Sequence, residues 1–312
     1  MTTHDSTYSF PIGEQEKTSV LMWFPREVIE WERDCPGVLR IYLYLNLMAT
    51  LNFFVVTSTK WMCDFVGFNY GTNSAKTVKK ANLILTYLHR ADAILNCPQF
   101  KGIADNICIE LNPQYFRAGK SKGIIFYNMS LADYELLRNY KPDMQSQYKS
   151  SFGNLLLIYA DIKSRIGSRT VGASEETKAT YPLGTATSFA EITTALGIGN
   201  QNTVSRACNI LRQMDLIYFD SPVRIMINGM RSPRVMKTII VEPKAADNGR
   251  NAWQWEYAAT YFNYINQLTE YFESLGQTIS VKTGLPSEVY LYLQSNKQRA
   301  EAVAEKAADE LF

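Results

Sequence analysis

At 312 residues the chain is long enough for two or three domains, each with its own hydrophobic core. A hydrophobic content of 46%, 20% charged residues and a formal charge of +2 exclude a disordered or fibrous chain and a uniform polycation. The charge is nevertheless segregated: Thr72–Lys122 carries eight Lys or Arg against three acids, Ala195–Ile240 six against two, and Val241–Phe312 six against ten. Two basic blocks and an acidic end suit a modular nucleic-acid binder with a separate partner-binding end, and equally an unevenly charged solvated surface.

Residues 1–19 read as a flexible terminus with no secretory signal. The five cysteines are odd in number and never spaced C-x-x-C, so reduced thiols in a cytoplasmic protein are expected. The first long apolar stretch, VLRIYLYLNLMATLNFFVV (Val38–Val56), approaches the length of a membrane span. Arg40, Asn46, Thr50 and Asn52 interrupt it, so a buried core helix is expected and no membrane partner.

Further along, the chain repeats itself. TVKKANLIL (Thr77–Leu85) and TVSRACNIL (Thr203–Leu211) match without a gap at Thr, Val, Ala, Ile and Leu, with Lys80 against Arg206. Upstream of each stand an apolar segment and a glycine turn, STKWMCDFVG before FNYG and SFAEITTALG before IG. Upstream again lie the apolar stretches Val38–Asn52 and Phe152–Ile166, led in by FPREVIEWERD and MSLADYELLRN. Downstream come strand-like runs: AILNC and NICIEL around the loop Pro98–Asp105, then VRIMI, the turn NGMRSP (Asn228–Pro233) and RVMKTIIV. A coincidence would have to recur in the same order, so duplication weighs more than any single motif.

Helix, helix, glycine turn, helix and hairpin is the order of a winged helix-turn-helix. The fold class expected is therefore mainly α with small β-hairpins (α+β): two tandem winged helices at 20–115 and 123–243, with a loop insertion at 167–185. A C-terminal helical region, 250–312, follows, with an aromatic helix from Trp253 to Leu275, a turn at TGLPS and a second helix from Glu288 to Leu311.

On a 3.6-residue period Val204, Ala207, Cys208 and Leu211 form a packing stripe, and Gln201, Asn202, Ser205, Arg206, Asn209 and Arg212 face the other way. Asn and Gln can pair adenine, Arg can grip guanine, and Ser reaches base or phosphate. Gln201, Asn202, Ser205 and Arg206 are the candidate base contacts, being first on the helix. Arg212 is a candidate backbone contact, as are Arg224, Arg231, Arg234 and Lys237 of the following hairpin, with Arg231 at its tip. In the first copy Lys76, Lys79, Lys80 and the loop's Lys101 suit phosphates as point charges. There Leu83, Ile84 and Tyr87 widen the apolar face, so self-association through the first domain competes with DNA contact. An ordinary amphipathic surface helix, or a winged helix that binds protein only, would carry much the same pattern.

Chemistry is sparse. With only His4 and His89, zinc sites, catalytic triads and paired-histidine nicking centres are not expected. AGKS (Ala118–Ser121) lacks the first glycine of a phosphate-binding loop and leads into a strand, GIIFYNM. No cofactor and no enzymatic activity are expected.

Tandem winged helices, absent catalytic motifs and a helical C-terminal appendage resemble replication initiators of the Rep type from plasmids and phages, over roughly residues 20–243. FPREVIEWERDCPGVLRIYLYL followed by STKWMCDFVGF resembles initiator N-terminal domains from Gram-positive plasmids. The resemblance implies binding of double-stranded DNA at origin repeats, with base reading by Gln201, Asn202, Ser205 and Arg206 and support from Lys76, Lys79 and Lys80. It further implies recruitment of a host replication protein by the C-terminal helices. A winged-helix transcriptional regulator and a non-DNA-binding assembly or scaffold protein remain the alternatives.

Overall fold

A computed structural model describes residues 17, 20–49, 53–68, 74–116, 124–141, 148–166, 183–243 and 253–297. The repeat appears in the order of elements. β1 (Leu21–Pro25) leads through α1 (Glu27–Asp34) and α2 (Val38–Met48) to β2 (Phe54–Ser58), α3 (Thr59–Val66), α4 (Ser74–Arg90) and β3 (Asn106–Glu110). After the short α5 (Pro113–Phe116), β4 (Phe126–Ser130) restarts the order with α6 (Leu131–Arg138), α7 (Phe152–Arg165), β5 (Gly184–Thr187), α8 (Phe189–Ala195) and α9 (Gln201–Gln213). Then come β6 (Tyr218–Phe219), β7 (Arg224–Ile227), β8 (Arg234–Val235), β9 (Thr238–Val241), α10 (Trp253–Ser274) and β10 (Ile279–Val281). A last helix, α11, covers 287–297. The fold is α+β, with small antiparallel sheets among the helices.

Two compact units divide the chain: residues 1–164 with 195–207, and residues 165–194 with 208–312. In the first unit the opening strands of the two repeats pair with each other, Met22 opposite Met129 and Phe24 opposite Tyr127. The apolar residues from Val38 to Leu45 on α2 are buried, as their sequence requires. The turn into α2 needs Gly37 at φ +108°, because a side chain there would strike Ile84 and Phe68. Glu32 closes that turn: its carboxylate accepts from the Gly37 N–H at 2.8 Å and the Leu39 N–H at 2.7 Å. Burial pushes the Glu32 carboxyl up, against the pull of those two N–H groups and of Arg40. Arg40, the charge inside the apolar run, donates to the Val66 carbonyl at 3.1 Å and lies over the rings of Phe68 and Phe152. Among the described residues no helix is long and apolar enough to cross a membrane.

AILNC, read as a strand, forms only an isolated bridge between Ile94 and Leu111. The Asn96 amide takes the place of the ladder: it accepts from the Glu110 N–H at 2.8 Å and donates to the Cys108 carbonyl at 3.0 Å. β3 pairs instead with β2, Val55 opposite Ile109.

In the second unit RVMKTIIV is split. Arg234–Val235 joins the sheet β10-β7-β8, and Thr238–Val241 lies between β5 and β6 in another. The aromatic helix α10 is core here: Tyr257, Tyr261, Tyr264, Leu268 and Phe272 form one buried stripe, clustered with Val223, Ile225, Ile239 and Val241. The strand β10 escapes a sequence reading. Ile279–Val281 pairs antiparallel with Ile225–Ile227, so the segment after α10 extends the hairpin sheet. The predicted insertion at 167–185 and the end of the second C-terminal helix fall mostly outside the described residues.

α10 packs so closely on β5 that Gly184 has no room for a methyl group, which would run into Thr260 Oγ1 and come within 2.8 Å of Val241. Gly184→Ala is expected to lower unfolding free energy by about 1–3 kcal/mol in a denaturant titration. Gly199→Ala, with nothing within 4 Å, should change it by under about 0.5 kcal/mol.

Candidate nucleic-acid interface

The helices that precede the two polar-faced ones start and end alike. Ser58 caps α3 by accepting from the Trp61 N–H at 3.2 Å, and nine residues later Gly67 turns the chain at φ +69°. Ser188 caps α8 by accepting from the Glu191 N–H at 3.1 Å, and nine residues later Gly197 does the same at φ +63°. Only glycine adopts that left-handed backbone without strain. Asn200 then caps α9, its side chain accepting from the Asn202 N–H at 2.8 Å. The aligned apolar positions are buried in both copies: Val78, Ala81, Ile84 and Leu85 on α4, Val204, Ala207, Ile210 and Leu211 on α9.

On α9, Gln201, Asn202 and Arg206 are exposed, and their side chains have no hydrogen-bonding or ionic partner among the described residues. Ser205 and Asn209 are half-buried and already engaged. Arg212 is exposed, with its guanidinium over the rings of Tyr218 at 5.0 Å and Phe219 at 5.5 Å. Stacking of this kind fixes the direction of the side chain while leaving its N–H donors to solvent or an anion.

The basic residues of the hairpin divide into two kinds. Arg224, Arg231 and Arg234 are exposed and carry no ion pair among the described residues. Arg231 sits just beyond Gly229, at φ +84° in the turn. Lys237 is committed: its ammonium lies 2.8 Å from Glu191. Glu191 also accepts from the Ser188 N–H at 2.9 Å and the Thr187 hydroxyl at 3.1 Å, closing a reciprocal cap at the start of α8. Burial pushes the Glu191 carboxyl up, but the hydrogen bonds from Lys237, Ser188 and Thr187 outweigh it and hold it below its usual value.

The first copy presents a different surface. Lys76, Lys79, Lys80 and Leu83 line a groove of about 650 Å³ together with Asp34, Cys35 and Pro36. Lys80, the counterpart of Arg206, lies over the Phe68 ring at 4.5 Å. Burial and the neighbouring Arg40 hold its ammonium below the usual lysine value. Lys76 is engaged, and Lys79 is exposed without a partner among the described residues. Leu83 is 62% exposed. Lys101 opens a loop whose turn is held by Asp105, which accepts from the Lys101 and Gly102 N–H groups. This groove mixes acid, apolar and basic groups, unlike the uniformly polar outer face of α9.

No family model matches the chain, nor does any curated protein or solved structure.

The folded-state carboxyl of Glu191 lies below its unfolded value of about 4.5, so its interactions stabilise fully above that pH and fade as pH falls through the folded value. Lys237→Ala should therefore flatten the acid limb of a thermal-unfolding profile. The pair is more than a third exposed, so the loss at neutral pH should stay below about 1 kcal/mol.

Proposed function

We propose that the chain binds double-stranded DNA sequence-specifically through two tandem winged helices, and that it acts as a replication initiator of a plasmid or other mobile element. In this reading it binds and does not transform its substrate. The observation that carries it is the outer face of α9, where Gln201, Asn202 and Arg206 stand exposed and unpartnered among the described residues above a fully buried stripe. A side chain that serves only solubility needs no such set of base-matching donors and acceptors.

The roles follow from the positions. Gln201, Asn202 and Arg206 contact base edges from the start of the helix, and Ser205 supports them. Arg212, Arg224, Arg231 and Arg234 meet phosphates. Lys237 is reassigned to holding α8 through Glu191, because its charge is already paired. Lys79 remains the best backbone contact of the first copy, and that copy's exposed Leu83 favours self-association alongside it.

The test is selection of genomic fragments by the purified chain, followed by a salt titration on the fragments recovered. An initiator should enrich arrays of direct repeats, with log affinity falling linearly in log salt. Enrichment of palindromes would indicate a dimeric regulator, and no salt-dependent binding would leave a protein-binding scaffold. On the selected site Arg206→Ala should lose about 1–3 kcal/mol and relax preference at one base pair. An equal loss on every sequence would make Arg206 a phosphate contact.

A further inference from the structure

We infer that the C-terminal strand β10 completes a phosphate-binding face on the hairpin sheet, with Lys282 and Arg224 as a cross-strand clamp on the backbone of duplex DNA. The inference rests on the DNA-binding reading above and extends it to a segment that the charge pattern assigns to the acidic, partner-binding end.

The geometry is set by register. Ile279, Ser280 and Val281 pair with Ile227, Met226 and Ile225, and the ladder ends at Val281. There the Lys282 N–H donates to the Arg224 carbonyl at 2.8 Å, and the Arg224 N–H donates to Thr283 Oγ1 at 3.0 Å. The first of these hydrogen bonds keeps the backbones of Lys282 and Arg224 adjacent just past the last pair of the ladder, and both side chains are exposed. On β7, Ile225 and Ile227 point into the core, and Arg224 and Met226 point out. Across the other edge Arg224 is paired with Val235, which is 63% exposed.

Two neighbouring exposed cations repel, and the fold gains nothing from placing them there. Neither has an ionic partner among the described residues. No Asp or Glu occurs in 221–236 or 276–287, the segments that build this sheet, whereas they hold Arg224, Arg231, Arg234 and Lys282. An acid-free, outward pair on a rigid ladder fits a polyanion with regularly spaced charges, and the phosphodiester backbone is that polyanion. Thr283 reinforces the position: its side chain receives the Arg224 N–H and its carbonyl receives the Tyr261 hydroxyl, tying the end of β10 to α10.

The experiment is a salt titration of DNA binding by the full chain, its Lys282→Ala variant and its Lys282→Arg variant, with thermal unfolding of each. Lys282→Ala should weaken binding roughly three- to tenfold on selected and random duplexes alike and reduce the slope of log affinity against log salt by about 0.9. Its melting temperature should stay level or rise, since a repulsion is removed, and Lys282→Arg should keep the wild-type slope. An unchanged slope in Lys282→Ala, beside a salt-dependent wild type, overturns the clamp and leaves the DNA-binding reading standing. Weaker binding with a lowered melting temperature makes Lys282 structural and overturns it too. A wild type without salt-dependent DNA binding overturns both.

Discussion

An amphipathic helix has to turn its apolar stripe inward, and here that obligation is met twice at the same positions. Val78, Ala81, Ile84 and Leu85 are buried on α4, as are Val204, Ala207, Ile210 and Leu211 on α9. With the stripe fixed, the rotation of each helix follows, and with it the residues that can meet a partner. On α9 this leaves Gln201, Asn202 and Arg206 outside. On α4 the same rotation leaves Lys76, Lys79, Lys80 and Leu83 at the rim of a groove. The two copies share a scaffold and differ in what it presents.

In the proposed reading, that difference separates the roles of the copies. A surface built to read bases has to keep its donors and acceptors unpaired until the partner arrives, because each internal bond must be broken on binding. α9 meets this condition at three of the four positions its sequence nominates, with Ser205 already engaged. In the first copy Lys80 is drawn onto Phe68, Lys76 is engaged, and Asp34 lines the same groove. In that reading the first copy, with Lys80 and Lys76 already engaged, is assigned to support and α9 to reading.

Local signals were the legible ones. The gapless match of TVKKANLIL with TVSRACNIL, the glycines nine residues after each capping serine, and the aromatic helix from Trp253 are all encoded within a few turns of chain, and each has its counterpart in the structure. Non-local pairings were not legible. β1 meets β4 across about a hundred residues and β10 meets β7 across about fifty, and nothing in LMWFP or TISVK names its partner. AILNC has strand composition, yet the Asn96 side chain competes for the backbone groups of the opposite strand and wins. Lys237 looks in sequence like one more basic residue of a hairpin. Its ion pair with Glu191 depends on β9 returning past α8, which only the fold reveals.

A formal charge of +2 is small for a protein that would grip DNA, but net charge is the wrong measure. At physiological ionic strength the Debye length is about 8 Å, so an exposed phosphate responds to the charges of the patch it touches and hardly to the acids elsewhere on the chain. What matters is whether a cation's own neighbourhood is free of carboxylates. Arg224 and Lys282 stand on neighbouring backbone segments of a sheet whose own strands and turns hold no acid, although ten acids are counted from Val241 onward. A block average assigns Lys282 to the acidic end of the protein, and the hydrogen-bond ladder assigns it to the basic sheet. The ladder is the better guide, because electrostatic fields in salt water are set by distance in space and not by distance along the chain.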